Sequence, residues 1–230
     1  MARDRAFPLA LNESEPDPVI TDTIILDIDT QWDLVMPDGA WPVPGAFGLN
    51  PVFERLTRYA RTYDIRVVAT CQALASNDPR FGSADGMPPP YCVAGSPGAR
   101  KIPATRPGKP VVVPARPMGS GELKALIGDA REIVVETGGP DLMSNPGTAE
   151  ILTWVRGAIV FGVGGEEAVL NAVRALKSKG ITVDVVQNAV ALRSAEPEAR
   201  DEWLETVRGL GARIIRDLDV MTRHTTARHH

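Results

Sequence analysis

The stretch Ala158–Gly180, AIVFGVGGEEAVLNAVRALKSKG, constrains the fold more than any other part of the chain. Ala158–Val163 is a short apolar run of the kind that forms a strand buried on both faces of a parallel sheet. Gly162, Gly164 and Gly165 then let the backbone turn with no Cβ in the way. Glu166 and Glu167 follow where a helix N-terminus favours negative charge, and apolar residues from Ala168 to Leu176 recur at helical spacing until Gly180. A strand–turn–helix of this kind holds its first helical residues over the carboxyl end of a sheet. Enzymes use that place to present a nucleophile beside outward-pointing backbone N–H groups. In this chain the residue offered there is Ala168.

The same alternation extends along the chain. Thr23–Asp29, Ile65–Thr70, Glu132–Thr137, Ala158–Val163, Ile181–Val186 and Ala212–Leu218 read as strands. Pro51–Tyr63, Glu122–Ile127, Thr148–Val155, the helix after Glu167 and Glu198–Leu210 read as helices, with Asn50 placed to cap the first. Six strands alternating with helices predict an α/β fold: a Rossmann-like, six-stranded parallel sheet in a three-layer α/β/α sandwich. Such sheets bind ligands beyond the carboxyl ends of their strands, here Asp29, Cys71–Gln72, Thr137 and Gly164–Ala168. Residues 1–22 read as a flexible N-terminal arm, 23–220 as one domain and 221–230 as a C-terminal tail. The proline-rich stretch Cys71–Pro117 is too irregular for a helix and reads as functional loops or a lid.

Composition narrows the chemistry. The net charge of −4 gives no basic patch for nucleic acid, and no apolar run has the length of a membrane span. Two cysteines, Cys71 and Cys92, favour a reducing cytoplasmic setting over a disulfide framework. All three histidines, His224, His229 and His230, fall in the last seven residues, and the closing pair has the look of a tag remnant. Ser–His–Asp catalysis, Cys–His catalysis and histidine-ligated metal sites are therefore not expected in the body of the fold.

Four segments carry a family resemblance. DTQWDL at Asp29–Leu34, with PVPGA after it, resembles the D-x-Q-x-D-F motif of the isochorismatase-like superfamily, the cysteine hydrolases that include nicotinamidases. PPYCVAGSPGA at Pro89–Ala99 resembles P-P-H-C-V-x-G-T-P-G-A, and VVETGGPDLMSNP at Val134–Pro146 resembles V-x-E-K-x-x-x-D-x-F-S-N-P. FGVGGEEAV at Phe161–Val169 resembles F-G-V-A-T-D-x-C-V. The four occur in order between about Ile24 and Leu218. The resemblance implies an Asp–Lys–Cys triad in which the cysteine attacks, the aspartate moves protons and the lysine stabilises charge. Carried over residue by residue, the aspartate is Asp29, the lysine position is Thr137 and the cysteine position is Ala168. The backbone N–H groups of Gly164 and Ala168 match the family's oxyanion hole. The metal motif of nicotinamidases falls on Gln72, Leu74, Arg80 and Tyr91, so neither a metal nor another cofactor is expected.

The remaining polar residues divide by role. Gln72 matches a glutamine of phenazine-pathway isochorismatases, which also lack the cysteine and in which an aspartate protonates a vinyl ether; that branch, however, keeps the lysine that Thr137 replaces. Gln72, Trp32, Tyr91 and Arg80 are the candidate substrate-binding residues. Asp33 is read as a loop-bonding carboxylate, Cys71 and Cys92 as packed thiols, and Glu166 and Glu167 as helix N-terminal charges. A missing lysine and a partly apolar pocket are both expected to raise the Asp29 pKa.

Three readings stand open on these residues. One is an enzyme acting on a small molecule through Asp29 alone. Another is a pseudoenzyme kept as a ligand-binding or partner subunit, and the third is a cysteine amidohydrolase with an engineered change at Ala168. Self-association is expected in each, with no nucleic-acid or membrane partner. Since alanine offers no nucleophile at position 168, no thiol-dependent amidase activity on nicotinamide is expected. Iodoacetamide-sensitive turnover of nicotinamide would overturn this and direct attention to Cys71.

Overall fold

The computed structural model describes residues 23–226 except 83 and 85. The expected arm over 1–22 and the His229–His230 pair lie outside the described residues. The strands are β1 (Thr23–Ile28), β2 (Arg66–Gln72), β3 (Val111–Val113), β4 (Glu132–Thr137), β5 (Gly157–Val163), β6 (Thr182–Ala191) and β7 (Arg213–Ile215). They form one sheet in the order β3-β4-β2-β1-β5-β6-β7, every neighbouring pair parallel. The sheet thus has seven strands rather than the six expected. The extra one, β3, is a three-residue edge strand inside the proline-rich stretch, where prolines on both sides hid its Val-Val-Val run.

Alternation along each strand sends side chains to two cores. Ile24, Leu26 and Ile28 join Val160, Val173 and Leu176 on one face, while Ile25 joins Ile159, Phe161 and Val163 on the other. The first face is covered by α3 (Ser120–Ile127), α4 (Thr148–Ile151), α5 (Leu170–Ser178) and α6 (Ala199–Gly209). The second is covered by α1 (Trp32–Val35), α2 (Asn50–Thr62) and α7 (Asp217–Thr226). This is the three-layer arrangement that an all-parallel sheet requires. On the second face Phe53 of α2 stacks on Phe161 of β5 at 5.6 Å between ring centroids. Full burial of side chains of this size stabilises by about 1.5–3 kcal/mol each.

Several boundaries differ from the sequence reading. Asn50 is the first residue of α2 rather than a side-chain cap. The helix expected over Thr148–Val155 is one α-turn followed by a 3-10 turn, Leu152–Trp154. The last strand stops at Ile215, and the chain continues into α7 through part of the expected tail. The proline-rich stretch is tied down rather than loose: Leu74 pairs with Val93, and Lys101 with Gln31. Gly162 has φ +144°, and a Cβ there would meet the Ile28 carbonyl oxygen at 2.1 Å. Glycine therefore lets the ends of β1 and β5 approach each other.

A charged pair interrupts the apolar packing. Asp27 on β1 and Lys101 are 1% and 4% exposed, with Nζ 3.0 Å from Oδ2. The Thr30 hydroxyl donates to Asp27 Oδ1 at 2.7 Å and lies 2.7 Å from the Thr105 hydroxyl. Lys101 Nζ also donates to the Asp27 carbonyl and to Thr30 Oγ1. Removing one member of such a pair strands the other charge away from water. Lys101→Met is therefore expected to destabilise by about 3–5 kcal/mol in urea unfolding, whereas Asp27→Val with Lys101→Met should recover most of the loss.

Candidate functional site

Parallel register brings the four strand ends together. β1 lies between β2 and β5, and β4 pairs with β2 so that Gln72 sits opposite Thr137. Asp29 follows β1 immediately, in a left-handed conformation with φ +50°. A non-glycine residue held there is strained by about 1–3 kcal/mol, and such strain collects at functional sites. Two hydrogen bonds fix the conformation: the Asp29 N–H donates to Thr70 Oγ1 at 3.0 Å, and the Gln31 N–H donates to the Asp29 carbonyl at 2.6 Å.

The carboxyl group is gripped on both oxygens. The Thr70 hydroxyl donates to Oδ1 at 2.5 Å, and Gln72 Nε2 donates to Oδ2 at 2.7 Å. Burial pushes the Asp29 carboxyl above the usual carboxylate range, against the pull of the Thr70 hydroxyl, the Lys101 ammonium and the Gln72 amide. The sequence reading expected the rise and traced it to the loss of charge at Thr137 together with a partly apolar pocket. The larger cause is burial, and Lys101 supplies a positive charge that the sequence reading missed. Its only sequence signal was the acid it needed, Asp27 within the apolar run TIILDI.

Thr137 and Ala168 both lie at strand ends beside Asp29. Both line a tight space with Asp29, Thr70, Gly139 and Pro140. Sharing Pro140 and Ala168 with it is a small cleft of about 30 Å³, bounded by Gln72, Tyr91, Trp41, Gly164 and Arg193 among others. Gly164 turns the chain with φ +71° into a π-helical turn, Gly165–Val169, which precedes α5. The Gly164 carbonyl accepts the Glu167 and Val169 N–H groups, and Trp203 Nε1 donates to the Gly165 carbonyl at 2.7 Å. Two polar atoms at the site, Gln72 Oε1 and Thr137 Oγ1, are buried without a hydrogen-bond partner.

Other candidates separate into those at the cleft and those away from it. Tyr91 is at the cleft, its ring 4.6 Å from Trp41 and its phenol pushed up to about 12 by burial. Trp32 does not line the cleft; Trp41 takes the aromatic place it was given, delivered by the loop after α1. Arg80 does not line the cleft: it pairs with Asp78 and donates to the Gly138 carbonyl at 2.6 Å, holding the loop after β4. Asp33 bonds loop backbone as read, accepting the Ala40 and Cys92 N–H groups. Glu166 accepts the N–H groups of Arg193 and Ser194, which ties the loop after β6 to the π-helical turn. Arg193 was overlooked because nothing in a lone arginine after a strand marks it.

Neither thiol is set up as a nucleophile. Cys71 lines a separate groove, and burial pushes its thiol up to about 12; burial also raises Cys92. The positions matching the family's metal motif do not fit a metal. Leu74 has no donor atom, Arg80 is a cation committed to Asp78, and Gln72 offers only a neutral amide oxygen, its nitrogen being bound to Asp29. Among the described residues no group of three or more His, Cys, Asp or Glu side chains is placed to hold one.

The fold matches solved structures over most of its length. It superposes on pyrazinamidase of Pyrococcus horikoshii in complex with zinc with TM-score 0.68 and 21% identity, covering 85% of this chain and 99% of the other. PnC1 from L. infantum in complex with nicotinate gives 0.65 at 18% identity, covering 86% and 94%. N-carbamoylsarcosine amidase from Thermoplasma acidophilum gives 0.62 at 16% identity, covering 85% and 96%. At these identities the likeness concerns the fold alone. Among curated proteins, none matches the sequence. The profile of the Isochorismatase domain matches residues 23–217, from the first strand to the start of α7, and the chain belongs to the isochorismatase family.

Proposed function

We propose that this protein acts on a small molecule by proton transfer at Asp29, without a covalent nucleophile. The observation that carries the reading is the state of that carboxyl: buried, pushed upward by desolvation, and flanked by two hydrogen-bond donors. Before transfer, burial favours the neutral acid. After transfer, the Thr70 hydroxyl and Gln72 amide stabilise the carboxylate left behind. A group poised between these states is suited to protonate carbon or oxygen in a vinyl ether or enol. In vinyl ether hydrolysis the acid would protonate the β-carbon, water would add to the resulting oxocarbenium ion and return a proton to the Asp29 carboxylate, and the hemiacetal would collapse to carbonyl and alcohol. No step calls on position 168, where Ala168 leaves only a methyl group.

A second reading is favoured by the size of the cleft. At about 30 Å³ it admits little more than one water, so a pseudoenzyme that keeps the fold for binding or assembly accounts for its closure. Self-association and a reducing cytoplasmic setting belong to the proposal under either reading. Both cysteines are free, and among the described residues no helix is long and apolar enough to cross a membrane.

Turnover separates the two. A panel of small vinyl ethers should be hydrolysed at a rate that falls as pH rises through the Asp29 pKa, because the acid form is lost. Asp29→Asn should lower the rate by about 10²–10⁴-fold while far-UV circular dichroism stays unchanged. Activity that survives Asp29→Asn would end the acid-catalysis reading, and absence of turnover across the panel would favour the pseudoenzyme.

A further inference from the structure

We propose that Lys101 is a positioning residue for Asp29: bonded to the chain before and after it, at Asp27 and Thr30, the Lys101 ammonium clamps shut the turn that aims the Asp29 carboxyl. The inference rests on the preceding reading only for naming Asp29 as the reacting group.

The turn needs a clamp. β1 ends at Ile28, and Asp29 leaves it with φ +50°, a conformation that a non-glycine residue holds only when its surroundings impose it. Lys101 Nζ reaches both flanks of that residue. Before it lie the Asp27 carboxylate at 3.0 Å and the Asp27 carbonyl at 3.3 Å; after it lies Thr30 Oγ1 at 3.2 Å. The Thr30 hydroxyl in turn donates to Asp27 Oδ1 at 2.7 Å, which closes the ring. Asp27, Thr30 and Lys101 are all buried. Apolar side chains of similar volume could fill this space without loss of stability, but they could not bridge the two sides of Asp29.

The backbone of Lys101 adds a second hold. Lys101 and Gln31 pair as an isolated antiparallel bridge, flanked by the Trp32 N–H donating to the Arg100 carbonyl and the Ile102 N–H donating to the Thr30 carbonyl. The segment so seated offers the Ala99 carbonyl to Gln31 Nε2 at 2.8 Å. Gln31 Nε2 also donates to the Gln72 carbonyl, and Gln31 Oε1 accepts the Gln72 N–H, each at 2.8 Å. The Gln31 amide thus extends the pairing of β2 past the point where β1 has turned away. It fixes the residue whose Nε2 holds Asp29 Oδ2. Lys101 therefore stands behind both the turn and one of the donors on the carboxyl.

The charges acting on Asp29 are Lys101, which lowers its pKa, and, more weakly, Asp27, which raises it. Cys71, Tyr91 and Cys92 also feel Asp29, but burial raises all three, Cys71 and Tyr91 to about 12, so they are uncharged near neutral pH. Removing both charges and the clamp together should raise the Asp29 pKa.

The test uses Asp27→Val with Lys101→Met in the full chain, the pair expected to recover stability. Its urea midpoint is read beside amide hydrogen exchange and the carboxyl 13C titration of Asp29. The Asp29 and Gln31 N–H groups should exchange at least about tenfold faster than in the unsubstituted protein, while N–H groups inside β1 and β5 keep their rates. Asp29 should titrate at higher pH. Where vinyl ethers are turned over, kcat should fall by about 10–10²-fold with KM little changed, and the loss of rate at high pH should move upward with the pKa. A brace that serves stability alone would move none of these once stability is back, so unchanged exchange and titration would overturn the inference. Faster exchange spread evenly over the sheet would overturn it too. If the double variant fails to fold, Thr30→Val opens one arm of the clamp and leaves both charges in place. There, faster exchange confined to Asp29 and Gln31 supports the clamp, and unchanged exchange overturns it. Exchange and titration need no substrate, so local loosening without turnover of any vinyl ether would retire the acid reading and keep the clamp.

Discussion

The parallel register of the central strands is the constraint on which the site depends. With β1 between β2 and β5, and β4 beside β2, four chain segments distant in sequence end within reach of one another. Asp29 is then almost wholly buried: Thr70 and Gln72 of β2 donate to its two oxygens, and Ala168 and Thr137 line the tight space beside it. Burial that follows from topology, rather than any one charged neighbour, sets the proton affinity of this carboxyl.

That placement changes what Thr137 and Ala168 mean. Neither brings a charge to the space beside Asp29; the cation that acts on this carboxyl is Lys101, neutralised by Asp27 and bonded to Thr30. Asp29 feels Lys101 as a field, while both of its oxygens are held by neutral donors. Such a carboxyl can change protonation without breaking an ion pair, which is the property that acid–base use of the site would draw on.

The cleft is closed by contacts that differ in strength. Glu166 fixes the backbone of the loop after β6 through two short hydrogen bonds, and Arg80 fixes the loop after β4 through Gly138. Against these, the Arg193–Trp41 contact is a side-chain stack of roughly 0.5–2 kcal/mol. Side chains, not loops, are therefore the cheapest part of the roof to rearrange. The scaffold would stay in place while the mouth changes.

Much of this was legible in the sequence because it depends on local pattern. The apolar run Ala158–Val163, the glycines after it and the helical spacing from Ala168 onward determine a strand–turn–helix whatever surrounds them, and the order of such units determines a parallel sheet. The positions of Asp29, Thr137 and Ala168 followed from that order together with the family motifs. Tertiary structure alone decided the rest. It chose Trp41 over Trp32 as the aromatic wall, committed Arg80 to Asp78, revealed β3 between prolines, and paired Lys101 with Asp27 across 74 residues of chain. Each of these turns on which side chain meets which across the fold. Periodicity reports only the face on which a residue lies, so partners brought together by the sheet leave no mark in the sequence between them.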